Sequence, residues 1–146
     1  MNDITFRKAN VEDWSQISEL LQAANLPLDG AQGHLNGFLL AYHGQTLAGC
    51  VALERYGKSA LLRSVATKED FRGIGLGQEL VRKMLEIAHS EGVQDIVLLT
   101  TTADKFFPRF GFTTIRRETA PDAVKGSVEF QGACPDSAIT MKLSFA

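Results

Sequence analysis

The chain has 146 residues, 15 Lys and Arg against 17 Asp and Glu for a formal charge of −2, and is 45% hydrophobic and 22% charged. That size predicts one domain over residues 1–146 around one core, and a near-neutral balance without a basic block excludes nucleic acid as the main partner. No stretch nears the roughly 20 apolar residues that cross a bilayer, and the opening MNDITFRKANVEDW has no apolar signal core, so a cytoplasmic protein with no membrane partner is expected.

Residues 3–8 alternate, with Ile4 and Phe6 on one face, and predict a first strand. Asn10 stands before VEDW with Asp13 three residues on, an N-cap with an acid in the first turn. Ile17, Leu20, Leu21 and Ala24 follow at helical spacing until Leu26-Pro27, where proline pushes its predecessor out of the helix. Residues 28–36 predict a loop or a short second helix. FLLAY (38–42), the turn HGQ (43–45) and LAGCVALER (47–55) make a hairpin, and a turn at 56–58 leads into the strand SALLRSVAT at 59–67. Leu80, Val81, Met84, Leu85 and Ala88 place one apolar stripe on a long helix that opens near Gly75 and stops at Glu91-Gly92. A buried strand at 96–99, a brief amphipathic helix around 104–110, and last strands at 111–118 and 137–145 complete the chain. The order β-α-β-β-β-α-β-α-β-β predicts an α/β fold around one mixed sheet.

The most informative stretch lies between a strand and the long helix: Arg72, Gly73, Ile74, Gly75, Leu76 and Gly77. Three glycines in six residues expose backbone N–H groups where a helix N-terminus concentrates positive potential, and Arg72 adds a charged donor. A pyrophosphate cradle and a plain strand-to-helix turn both fit the glycines. Gln78-Glu79 stand where a P-loop needs Lys-Ser/Thr, which argues against nucleotide hydrolysis. The spacing is GxGxG, and Asp95 precedes its strand, so the dinucleotide fingerprint is not met.

The segment resembles the acetyl-CoA signature Arg/Gln-x-x-Gly-x-Gly/Ala of the GCN5-related N-acetyltransferases. The likeness covers nearly the whole chain, through LLRSVAT, the helix after the loop, DIVLLT, and FFPRFGF ending in Gly111-Phe112. It implies a single-domain, mostly antiparallel sheet whose central strands splay, with the pantetheine arm of acetyl-CoA lying in the gap. It further implies that Val65, Ala66 and Thr67 flank the cofactor on one strand, that the loop 72–77 holds the pyrophosphate, and that Thr100, Phe106 and Phe107 line the other side. The backbone N–H of Val65 is the implied oxyanion donor. No nucleophilic side chain is needed, so Cys50 and Cys134, which show no CxxC or metal spacing, are expected to be inert, and no metal is expected.

Many relatives place a tyrosine, as general acid for the leaving thiolate, where this chain has Phe107. Releasing a thiol of pKa about 8.5 as thiolate at pH 7 costs about 2 kcal/mol, and water or a hydroxyl such as that of Thr101 could supply the proton. Glu54, late in the third strand, is the candidate base through water, or an ordinary strand-end carboxylate. LLRSVA, LTTTA-x-x-FF-x-R-x-GF and EFQGACPDSAITM further resemble the arsenic-resistance N-acetyltransferases, and more distantly the acetyltransferase domain of N-acetylglutamate synthases. These imply a small amino acid or amino-acid-like toxicant acetylated on its α-amino group. An anionic acceptor needs basic residues: Arg63, beside Ser64, is the expected bidentate clamp, with Arg109 and Arg117 as second choices. Leu26-Pro27-Leu28 lies in the segment expected to wall the acceptor cleft. The alternatives are a polyamine or protein-lysine acetyltransferase and a non-catalytic acetyl-CoA-binding protein, and a homodimer through the last strand is possible.

Overall fold

The computed structural model describes residues 3–145. Its sheet is built from β1 (Ile4–Lys8), β2 (Phe38–His43), β3 (Thr46–Tyr56), β4 (Ser59–Thr67), β5 (Asp95–Thr100), β6 (Thr113–Ile115) and β7 (Ile139–Ser144), in the order β1-β2-β3-β4-β5-β7-β6. Every neighbouring pair is antiparallel except β4 with β5. Helices α1 (Trp14–Ala23) and α2 (Leu76–Ser90) cover opposite faces. Because successive strand residues point to opposite faces, Leu39, Val51 and Leu53 pack toward Leu80, Val81 and Met84 of α2, while Phe38, Leu40, Cys50 and Ala52 pack toward Ile17, Leu20 and Leu21 of α1. Burial on both faces explains why β2 and β3 read as near-continuous apolar runs. At Gly37 the backbone enters β2 so close to β3 that a Cβ would run into the Leu53 carbonyl oxygen.

The expected N-cap is present one turn earlier than the helix proper. Asn10 Oδ1 accepts from the Glu12 N–H at 3.0 Å and Asp13 Oδ2 from the Asn10 N–H at 2.8 Å, capping a 3-10 turn, Val11–Asp13, that runs into α1. Residues 28–36 resolve into a 3-10 segment, Gln32–Gly37. The expected helix at 104–110 is only the 3-10 turn Phe107–Phe110, with Pro108 inside it and Gly111 ending it at φ 102°. The strand expected at 111–118 shrinks to the three residues of β6, since Arg117–Thr119 already turns. Beyond it, Asp122–Gly126 and Glu129–Ala133 form short turns with no periodicity to announce them.

Two departures from a regular sheet build the site. The parallel ladder of β4 and β5 holds only Ser59, Ala60 and Leu61 against Asp95, Ile96 and Val97, after which the strands part. On the other side of β4, Cys50 faces Ala66 and Ala52 faces Arg63, so Val51 stands against both Ser64 and Val65. Ser64 takes up this bulge at φ 60°, a left-handed conformation that a serine rarely adopts.

Candidate active site

A cleft of about 610 Å³ opens where β4 and β5 part. Leu62, Arg63, Ser64, Val65 and Thr67 line it from β4; Leu98, Leu99 and Thr100 line it from β5, followed by Thr101, Thr102 and Ala103. Phe106, Phe107 and Gly77 close one part, and Leu26, Pro27, Asp29, Glu129 and Cys134 close another. The Leu26-Pro27 segment is thus a wall of the cleft.

The glycine loop stands at its edge. Gly73 and Gly75 sit at φ 82° and 83°, and Gly75 is the residue from which α2 starts, with no side-chain cap on the first-turn N–H groups. Nothing lies within 4 Å of where a Cβ would be at Gly73 or Gly75, and Ile74 is half exposed. Gly77, one residue into the helix, lines the cleft directly. Arg72 Nε donates to the Thr67 carbonyl at 3.2 Å, tying the loop to the end of β4. An open, electropositive turn of this kind fits a diphosphate. Arg72, Gly73, Ile74, Gly75, Leu76 and Ala66 lie outside the cleft lining: the first four stand beyond its edge, Leu76 is core beneath α2, and Ala66 packs toward α1.

The remaining expected residues divide in the same way. Thr100 Oγ1 accepts from the Ala103 N–H at 2.9 Å, shaping the turn after β5, whereas Thr101 is exposed on the cleft. Phe106 and Phe107 meet edge-on at 5.1 Å, and Phe107 continues into Phe112, so its ring joins cleft and core. Arg109 lies outside the cleft lining, stacked 4.9 Å over Phe106 and donating to its carbonyl. Arg117 is also outside it; it donates to the Phe130 and Pro135 carbonyls and braces the 129–135 segment.

Arg63 reaches the cleft, but its guanidinium is largely committed inside the protein. Nη1 donates to Glu54 Oε2 and to the Asp29 carbonyl, both at 2.8 Å; Nη2 donates to the Pro27 carbonyl at 3.0 Å. Nε serves Ser64 Oγ at 3.1 Å and lies 3.3 Å from Glu129 Oε2. One N–H of Nη2 has no acceptor among the described residues, so the bidentate clamp expected of Arg63 becomes at most a single donor. Glu54 departs further from expectation: it is fully buried and outside the cleft lining. Burial pushes its carboxyl up, but hydrogen bonds from Arg63, Tyr56 and Ser127 outweigh this and hold it below the ordinary glutamate value. A buried, ion-paired carboxylate held in its charged form is a poor base.

Sequence reasoning missed three features here: the left-handed Ser64, the carboxylate of Glu129, and the place of Cys134 on the cleft wall. Burial, reinforced by the charge of Glu129, pushes the Cys134 thiol up to about 12, and burial alone does the same to Cys50, so neither is a thiolate near neutral pH.

A helix N-terminus bearing a glycine loop, set beside strands that part after three pairs, is a geometry that suits a phosphate-bearing cofactor. The chain belongs to the acetyltransferase (GNAT) family, whose sequence model matches residues 5–112; its members move an acetyl group from acetyl-CoA to an amine. It is 32% identical over 131 residues to the uncharacterized N-acetyltransferase CT2212 of Chlorobaculum tepidum, covering 84% of this chain and 83% of that protein. Its fold matches N-acetylglutamate synthase from Neisseria gonorrhoeae, solved with coenzyme A and N-acetyl-glutamate, with a TM-score of 0.83 and 19% identity over 98% of this chain. This chain spans only 35% of that synthase. PaiA N-acetyltransferase from Thermoplasma acidophilum, solved with coenzyme A, matches with a TM-score of 0.69 and 16% identity over 97% of this chain and 99% of its own. Among the described residues, no helix is long and apolar enough to cross a membrane and no group of three or more His, Cys, Asp or Glu is placed to hold a metal.

Proposed function

We propose that the chain transfers acetyl from acetyl-CoA to the α-amino group of a small amino acid or amino-acid-like toxicant, by direct attack within a ternary complex. The observation that carries this reading is the cleft itself, which runs from Gly77 of the glycine loop along the parted strands to a second end walled by the buried ion pair of Arg63 and Glu129. The pyrophosphate rests on the loop 72–77, and the pantetheine arm lies against β4 beyond Leu61, where β4 has no partner on the β5 side. The Val65 N–H, beside the Ser64 bulge, is the proposed donor to the thioester oxygen, stabilising the charge that develops there. Thr101, or water, returns a proton to the departing sulfur, since Phe107 has none to give. The spare N–H of Arg63 is the proposed point donor to an acceptor carboxylate. LLRSVA and EFQGACPDSAITM support the arsenic-resistance type, a glutamate-like arsenic or phosphorus acid carrying a free amine.

A polyamine or lysine acceptor is the second reading, favoured by one observation: two carboxylates, Glu54 and Glu129, flank the single guanidinium of Arg63. Release of CoA, followed by a thiol reagent across amino acids, glutamate-like phosphinates and arsinates, polyamines and a lysine peptide, separates the two. Turnover confined to acceptors with a carboxylate or equivalent anion is the expected result. Turnover on polyamine or peptide alone would discard the anionic acceptor and keep the cofactor site.

A further inference from the structure

The acceptor end of the cleft holds an ionisable group that the chemistry above leaves idle. Glu129 opens the turn between β6 and β7, is 4% exposed, and lines the cleft with Arg63, Ser64 and Val65. Its carboxylate has two polar neighbours: Arg63 Nε at 3.3 Å and the Cys134 thiol. Glu54, behind the wall, takes the shorter contact to Arg63 at 2.8 Å and a further hydrogen bond from the Tyr56 hydroxyl. One guanidinium therefore serves two carboxylates, and the less fully satisfied of the two faces the cleft.

We propose that Glu129 receives the acceptor ammonium and takes its proton, with Arg63 as the positioning residue that holds the carboxylate toward the cleft. The assignment rests on the acetyl-transfer reading above. Glu129 accepts one N–H proton from the ammonium and becomes a carboxylic acid. The freed nitrogen lone pair then forms the N–C bond at the thioester carbonyl, and the C–S bond breaks as the tetrahedral intermediate collapses. The second N–H proton ends on the CoA sulfur, and Glu129 returns the first to solvent. A single proton is thus released per amide formed from an ammonium.

The charged neighbours leave Glu129 as the group that titrates. Arg63 and, beyond Cys134, Arg117 are the guanidinium groups on its cationic side. Hydrogen bonds keep Glu54 ionised, with His34 and Tyr56 on its far side, and Cys134 stays protonated until about pH 12. Burial raises the carboxyl of Glu129 above the ordinary glutamate value, the direction a base needs near neutral pH.

Glu129→Gln keeps the shape and removes the base. Calorimetry on the folded variant should give acetyl-CoA affinity within about twofold of wild type, while kcat/KM for the acceptor at pH 7 falls by roughly 10²- to 10⁴-fold. The lost rate should return as pH rises and the amine deprotonates in solution, so a limb set by the free amine should replace the acid limb of the wild-type profile. A folded Glu54→Gln variant should keep the wild-type limb. Independently of any acceptor, carbon NMR of glutamate-labelled protein with acetyl-CoA bound, assigned with Glu129→Gln, should show Glu129 titrating above the ordinary glutamate range. Absence of turnover across the acceptor panel would count against the acceptor reading and leave the NMR titration to judge Glu129. A Glu129 that titrates at or below the ordinary value, or a Glu129→Gln profile parallel to wild type, would overturn the proposal.

Discussion

At the scale of single residues, Asp13 shows how a short polar side chain sets the entry of an element. Its carboxylate takes two hydrogen bonds from Arg7 at 2.7 and 2.9 Å, one from the Tyr42 hydroxyl at 2.8 Å and one from the Asn10 N–H. These join β1, β2 and the start of α1. The hydrogen bonds from Arg7 hold the carboxyl far below the usual range, and Tyr42, through burial and the same carboxylate, is pushed up to about 12. A carboxyl lowered on folding adds stability above its unfolded pKa of about 3.9, and that stability is lost as pH falls toward the folded value. Asp13→Asn should therefore cost roughly 1.5–3 kcal/mol at pH 7, and the gap from wild type should narrow at about pH 2.5. Urea unfolding at the two pH values checks this; an equal gap at both would refute it. The cap was legible because Asn10 and Asp13 are three residues apart. The Arg63 network was not, because Glu54 and Glu129 meet it from β3 and from an aperiodic turn 66 residues downstream.

At the scale of elements, the glycine loop was legible because glycine leaves a conformational signature in the sequence, and Gly73 and Gly75 do take left-handed φ. The bulge in β4 was not legible, because Ser64 carries no such signature and LLRSVA reads as an unbroken strand. Gly75 separates the two demands that a phosphate loop makes. Alanine there meets nothing within 4 Å but must hold φ 83°, which costs about 1–2 kcal/mol. Gly75→Ala should thus lower stability by that amount and keep most of its acetyl-CoA affinity. Gly75→Glu adds the same strain and places bulk and negative charge in the space assigned to phosphate, so binding should be abolished. Calorimetric titration of both folded variants is the check, and affinity retained by Gly75→Glu would sink the loop assignment.

At the scale of the whole molecule, strand order and helix placement follow from patterns the sequence displays: apolar runs for strands covered on both faces, and one stripe on each helix. The seam does not. Nothing in SALLRSVAT or DIVLLT says that pairing stops at Leu61 and Val97, because Leu98 and Leu99 stay apolar beyond that point and β4 carries on through Leu62, Val65 and Ala66 with no turn residue. Three residue pairs are all that join the block β1 to β4 to the block β5, β7 and β6 within the sheet. A ligand that lies in the gap replaces the missing ladder and crosses this joint. Acetyl-CoA at 100 times its Kd should add about 2.7 kcal/mol, raising Tm by roughly 5–11 °C in a chain of this size. Amide exchange should locate that gain, with protection rising most at residues 62–67, 72–77 and 98–102 and little in β1 and β2, which already pair along their length. Protection spread evenly over all strands would mean that the ligand stabilises the fold without bridging the seam, and would separate the cofactor site from the gap.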